Sequence, residues 1–149
     1  MKVLVTVGTT PFEDLIKFLD MHSFENIEYI FQISNGDYKP KNFEYFEFTK
    51  NIDKFYKDSD FIICHAGAGT IYKLLDLNKK MIVVPNSNRV DPHQFEIARF
   101  INRNNYGLFA EVGEDLIKCI KKIQEQKFQM YKPCRFFKLN EITSYINNL

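Results

Sequence analysis

Asp60-Phe-Ile-Ile-Cys-His65-Ala-Gly-Ala-Gly-Thr70 is the stretch that decides the fold. Its apolar run, Phe61 to Cys64, predicts a buried strand. The run opens directly into a small-residue turn, His65-Ala66-Gly67-Ala68-Gly69-Thr70. Apolar residues at Ile71, Leu74 and Leu75 then give helical spacing. Strand, glycine loop and helix start is an arrangement that binds phosphate. Glycines let the backbone approach an anion, and the first N–H groups of a helix have no partner inside it. The helix dipole adds a modest preference for negative charge. The stretch points to a phosphorylated ligand, a nucleotide first of all, although two glycines in a tight strand-to-helix turn also serve packing. The dinucleotide fingerprint needs a third glycine and sits on the first strand, so a simple nicotinamide enzyme is disfavoured.

Working outward, strand-like and helix-like segments alternate along the whole chain. Lys2–Val7 predicts a strand, followed by a turn at Gly8-Thr9-Thr10-Pro11. Pro11 suits a first helical turn, and Phe12, Leu15, Ile16 and Leu19 follow at helical spacing. Further strands are expected at Ile27–Ile33, Phe43–Phe48, Met81–Val84 and Leu108–Val112. Helices are expected at Ile52–Tyr56, Phe95–Ile101 and Glu114–Gln126, with a tail helix from about Glu141 to Ile146. The alternation predicts an α/β fold: one Rossmann-like domain over residues 1–149, with a mainly parallel sheet, helices on both faces and a helical tail from about residue 114. Ligands bind such sheets beyond the carboxyl ends of the strands. The Gly8 turn and the His65–Thr70 loop should therefore share one rim.

Composition narrows the function classes. At 149 residues the chain has room for one ordinary domain. A net charge of +1 supplies no gross attraction to nucleic acid or to a membrane surface. No run approaches the ~20 apolar residues of a membrane span, and the opening Met-Lys-Val-Leu-Val-Thr-Val-Gly reads as a strand and not as a signal peptide. A cytoplasmic location is expected. The three cysteines, Cys64, Cys119 and Cys134, lack the spacing of a metal or redox pair, so free thiols are expected. A Cys64–His65 catalytic pair is disfavoured, because neighbours on a strand point to opposite faces. With 15 phenylalanines, some rings are expected on a partner-facing surface.

A second motif, Asn86-Ser-Asn-Arg-Val-Asp91-Pro-His93-Gln94-Phe-Glu96-Ile-Ala98, follows the Met81 strand. By itself it reads as a polar loop with Asp91 as a helix cap. Taken together, Val5-Thr-Val-Gly-Thr-Thr10, His65-Ala-Gly-Ala-Gly-Thr70 and His93-Gln94-Phe-Glu-Ile-Ala98 resemble, in order and spacing, the Alg13-like proteins. These correspond to the C-terminal, donor-binding half of a GT-B glycosyltransferase of the family that includes MurG. The resemblance covers residues 1–112 well and the tail loosely.

The resemblance implies roles for particular positions. His65, Ala66, Gly67, Ala68, Gly69 and Thr70 would hold the diphosphate of a UDP-sugar, and His93 and Gln94 would bind the sugar. Gly8, Thr9 and Thr10 would form the cleft rim. Phe48 and Thr49 would lie near the uracil edge. No cofactor and no metal is implied, because the UDP-sugar is a substrate. The family usually carries a glutamate for the ribose in the helix after the glycine loop, and this chain has Lys73 there. Lysine donates but cannot accept hydrogen bonds, so Asp76 would substitute in part, or Lys73 would face solvent or a phosphate. The implied function is the donor-binding subunit of a two-component glycosyltransferase in polysaccharide or glycan biosynthesis, capsule included. An Alg14-like membrane-associated partner would recruit it to the inner membrane face and supply the catalytic base, and the acceptor would be a lipid-linked saccharide. The isolated chain could self-associate through the partner surface. The alternative is a non-catalytic protein that stabilises or localises another transferase.

Overall fold

The computed structural model describes residues 1–22, 24–88 and 92–133. Among the described residues there are six strands and five helices, in the order β1 Lys2–Thr6, α1 Glu13–Met21, β2 Glu28–Gln32, β3 Glu44–Phe46, α2 Ile52–Asp58, β4 Phe61–His65, α3 Ala68–Asp76, β5 Met81–Val84, α4 Pro92–Arg103, β6 Leu108–Phe109 and α5 Glu114–Lys122; only β2 and β3 follow each other without a helix between them. The sheet order is β3-β2-β1-β4-β5-β6, and every pairing is parallel. This is the doubly wound order, in which the winding direction reverses between β1 and β4.

Both sheet faces are covered, which is why the central strands read as continuous apolar runs and not as alternating ones. On one face Leu15, Ile16 and Leu19 of α1 and Leu116 and Ile120 of α5 pack on Val3, Val5, Phe31, Ile63 and Ile82. On the other, Tyr56 of α2, Ile71 and Leu74 of α3 and Ala98 and Ile101 of α4 pack on Leu4, Ile62, Cys64 and Val83.

Element types follow the sequence expectations, and several boundaries differ for identifiable reasons. Pro11 precedes the N-cap residue Phe12 and so lies just outside α1. The third strand shrinks from Phe43–Phe48 to Glu44–Phe46, because it is an edge strand with one neighbour. The sixth shrinks to Leu108–Phe109 at the opposite edge. Helix α4 is longer than Phe95–Ile101, starting at Pro92 in the favoured first position and ending at Arg103. Two residues later Asn105 takes the left-handed conformation, φ 54°, a common way to terminate a helix. Helix α5 stops at Lys122, short of Gln126, where Lys80 Nζ donates to the carbonyls of Ile123 and Gln124. Cys134, Asp91 and the expected tail helix lie outside the described residues.

Candidate functional site

The Gly8–Thr10 turn leaves β1 and the His65–Thr70 segment leaves β4, so they face each other where the winding reverses. Thr9, Thr10, His65, Ala66, Gly67, Ala68, His93 and Gln94 line one cleft of about 290 Å³, completed by Phe12, Asn86 and Ile97. Eight sequence-derived positions from three separate segments thus converge.

Glycine is required at two of the surrounding positions by the His65 imidazole. A Cβ on Gly8 would lie 2.5 Å from His65 Cε1, and Gly8 also has φ 68°. A Cβ on Gly67 would overlap the same ring. The histidine is seated between the two turns, so each glycine is also a steric allowance for it. Gly69 differs, because a Cβ there meets nothing within 4 Å.

The start of α3 carries no negative charge of its own. Gly67 is its N-cap residue, no side chain caps it, and its first turn carries no acidic residue. The first intrahelical bond is Ile71 N–H to the Gly67 carbonyl, 3.0 Å. The preceding N–H groups are the ones a helix leaves without an internal acceptor, and Gly67 and Ala68 border the cleft.

Gln32 holds the opposite wall, and no motif pointed to it. It is buried at the end of β2. Its Oε1 accepts from the Thr6 hydroxyl at 2.7 Å and the Gly8 N–H at 2.9 Å. Its Nε2 donates to the carbonyls of Gly8 and Glu47, both at 2.8 Å. One amide therefore fixes both polar groups of the glycine with left-handed geometry and ties the turn to the end of β3. The available signal was a lone polar residue inside the apolar run Tyr29-Ile30-Phe31-Gln32-Ile33. Tyr56, also unassigned, lies beneath the loop. Burial pushes its hydroxyl up, and hydrogen bonding to Thr70 and Thr6 partly opposes the shift.

The His93–Gln94 pair divides. Gln94 is buried, and its Oε1 accepts the Asn86 N–H at 2.9 Å, which fixes the loop after β5. His93 is exposed, with Nδ1 3.2 Å from Glu96 Oε2. Asn86 Nδ2 reaches the Pro11 carbonyl at 3.5 Å and Asn88 Nδ2 reaches Asp14 Oδ2 at 2.6 Å, so this loop is also tied to the start of α1.

Of the expected positions, Gly8, Gly69 and Thr70 adjoin the cleft without lining it, and three more stand apart from it. Lys73 Nζ is 2.8 Å from Asp53 Oδ2, a half-exposed ion pair linking α3 to α2. Phe48 is 58% exposed beyond β3. Thr49 lines a separate depression with Lys2, Asn51 and Lys54. Cys64 is fully buried, and burial pushes its thiol up to about 12, which removes it as a nucleophile at neutral pH. Among the described residues, no group of three or more His, Cys, Asp or Glu side chains could hold a metal ion. No helix among them is long and apolar enough to cross a membrane.

A doubly wound parallel sheet with its cleft at the reversal of strand order defines an α/β ligand-binding domain of the Rossmann type. Residues 2–149 match the glycosyltransferase family 28 C-terminal domain, and the chain belongs to that family. It is 34% identical over 119 residues to the human UDP-N-acetylglucosamine transferase subunit ALG13, covering 70% of this chain and 10% of that protein. The Yarrowia lipolytica protein of the same name is 29% identical over 153 residues, covering 87% of this chain and 76% of that one. The chain thus spans a tenth of the human relative but most of the yeast one. Among solved structures, Acinetobacter baumannii MurG superposes with a TM-score of 0.64 at 18% identity, over 85% of this chain and 41% of that one. A solution structure of ALG13 gives 0.57 at 20% identity, over 95% and 93%. At these identities the two structures establish the fold alone.

Proposed function

We propose that this chain is the donor-binding subunit of a two-component glycosyltransferase. It takes a UDP-sugar, and an Alg14-like partner presents a lipid-linked saccharide at the inner membrane face. The observation that carries this reading is the single cleft bordered by the uncapped start of α3, the Gly8–Thr10 turn and the His93–Gln94 helix start. The diphosphate would lie over Gly67–Thr70. As the bond from the sugar to UDP breaks, negative charge grows on the departing diphosphate, and helix N–H donors fixed beforehand stabilise it. Because Gln94 Oε1 is engaged by Asn86, its Nε2 hydrogens are the part of the amide suited to a sugar hydroxyl. Relatives named as UDP-N-acetylglucosamine transferase subunits make that nucleotide sugar the first donor to test.

The acceptor hydroxyl needs a base, and this reading places the base on the partner, since one parallel sheet offers one ligand-binding rim. The test is calorimetry with UDP, followed by sugar transfer with and without the co-expressed partner. Binding by the chain alone, with transfer only in the complex, is the expected result. Full-rate transfer by the purified chain would overturn the two-component reading. Absence of UDP binding, alone and in the complex, would favour a non-catalytic stabilising role. The observation behind that alternative is Lys73, which stands paired to Asp53 where the family resemblance implies a ribose-binding carboxylate.

A further inference from the structure

A row of polar side chains runs beneath the cleft, from β2 to the start of α3. Thr6 pairs in register with Gln32 on one side and with Cys64 on the other. By strand alternation all three share the sheet face of Leu4 and Ile62, which α2 and α3 cover. Tyr56 of α2 is buried over this row, and its hydroxyl hydrogen-bonds with Thr70 and with Thr6. The bonds run without a break from Thr70 through Tyr56 and Thr6 to Gln32, which holds both polar groups of Gly8.

Counting hydrogens fixes the direction of this chain. Gln32 Nε2 donates to the carbonyls of Gly8 and Glu47, so its Oε1 is the acceptor. The single hydroxyl hydrogen of Thr6 is spent on that oxygen at 2.7 Å. Tyr56 must then donate to Thr6, and Thr70 to Tyr56, because a hydroxyl has one hydrogen to give. Bonds aligned head to tail polarise and strengthen one another. The Thr70 hydroxyl is thereby engaged beneath the loop, in keeping with its place outside the cleft lining.

We propose, resting on the reading of the cleft as the diphosphate site, that Tyr56 is a positioning residue for that diphosphate. Through Thr70 it pins the first turn of α3 to the same strut that holds the Gly8 turn, so both walls are set before an anion arrives. The start of α3 needs such a pin. No side chain caps it, and its Gly67-Ala68-Gly69 backbone is freer than one built of larger residues. Threonine in a helix divides between two rotamers, since its hydroxyl can also bond the preceding turn. The Tyr56 hydroxyl selects the one turned to the floor. Donors stabilise charge best when their directions are fixed beforehand. Tyr56 itself is buried beneath the loop and touches no ligand.

Tyr56→Phe deletes the hydroxyl and keeps the packed ring, and Thr70→Val deletes the same bond from the helix side. Both variants and their combination are titrated with UDP and with uridine by calorimetry, as the chain alone and as its complex with the co-expressed partner. Each single change should weaken UDP about three- to tenfold and uridine by less than about twofold. The double variant should stay within about twofold of Thr70→Val, because the two residues act as one unit. Thr70→Ser restores the hydroxyl and should keep the wild-type affinity. Hydrogen exchange reads the pin without a ligand. In Tyr56→Phe the amides of Ile71, Tyr72 and Lys73, which close the first turn of α3, should exchange at least about fivefold faster, with those of Ile62 and Val83 unchanged. Equal losses for UDP and uridine, additive losses in the double variant, or unaltered UDP affinity in both single variants overturn the proposal. So does unchanged exchange at Ile71, Tyr72 and Lys73. If the wild type binds no UDP in either preparation, the donor reading fails and the positioning role with it, whereas UDP binding that Tyr56→Phe leaves intact overturns the positioning role alone.

Discussion

Helices α3 and α5 begin alike and are furnished differently. Each has a glycine N-cap, Gly67 or Gly113, and no side-chain cap hydrogen bond. Helix α5 places Glu114 and Asp115 in its first turn, and Asp115 Oδ2 accepts the Glu111 N–H at 3.2 Å. Its positive end is matched by its own carboxylates. Helix α3 begins Ala68-Gly69-Thr70, with no carboxylate and no bulk, at the edge of the cleft. Carboxylates in a first turn contribute about 0.3–1 kcal/mol each. A helix that omits them keeps its N–H groups available to an external anion. The difference teaches that the same local device can be completed by the helix's own carboxylates or left open at the edge of a cleft.

The largest expected effect comes from filling the start of α3. Gly69→Val adds bulk where a Cβ meets nothing, and valine is no worse a helix former than glycine, so folding stability should hold within about 0.5 kcal/mol. UDP affinity should nevertheless fall at least about tenfold by calorimetry, a loss of about 1.4 kcal/mol. Unchanged affinity would reduce the loop to a packing turn. Gly67→Val tests less cleanly: binding should be lost too, but its side chain displaces the His65 ring, so the thermal melt should drop with it.

A second substitution makes α3 resemble α5. Ala68→Glu should raise the melting temperature of the ligand-free protein slightly, by the helix-dipole term, while weakening UDP binding several-fold. The binding penalty should shrink with added salt. The reciprocal change, Asp115→Ala, should cost about 0.5–1 kcal/mol of stability and leave UDP affinity alone. If both variants shift stability and neither shifts binding, the contrast between the two helix starts has no functional content.

Gln94 separates structure from recognition. Gln94→Ala strands the buried Asn86 N–H and should cost about 1–3 kcal/mol of stability. Gln94→Glu keeps the acceptor and removes the donors. It should weaken UDP-sugar more than UDP, by a few-fold to about tenfold. An equal loss for both ligands would move Gln94 from the sugar to the loop. The smallest effect is expected at Lys73. Its half-exposed pairing with Asp53 makes Lys73→Ala worth at most about 1 kcal/mol. A selective loss of UDP over uridine would instead place the ammonium near phosphate.

Much of the fold was legible because its signals are local. The apolar runs Phe61–Cys64 and Met81–Val84 marked the interior strands, and helical spacing marked the elements between them. The edge strands were over-extended, since Phe43–Phe48 and Leu108–Val112 have strand-like composition but only one neighbour each. The length of α5 was misjudged because Lys80, over forty residues away in sequence, takes up the carbonyls after its last turn. In the site, the glycine loop, the Gly8 turn and the His93–Gln94 pair could be read from residue type and order. Gln32 could not, because an amide in a strand declares nothing until β1 is paired beside it.

The sequence by itself determined the alternation of elements, the α/β class and the three segments that meet in the cleft. Periodicity and glycine placement act over a few residues and survive without a partner. Only the tertiary structure decided the strand order, the seating of His65 between Gly8 and Gly67, the Lys73–Asp53 pair and the clamp of Gln32 on the turn. Each of these joins groups far apart in the chain, and their meeting depends on which strands lie side by side and on the directions in which buried side chains point. No pattern within one segment contains that information.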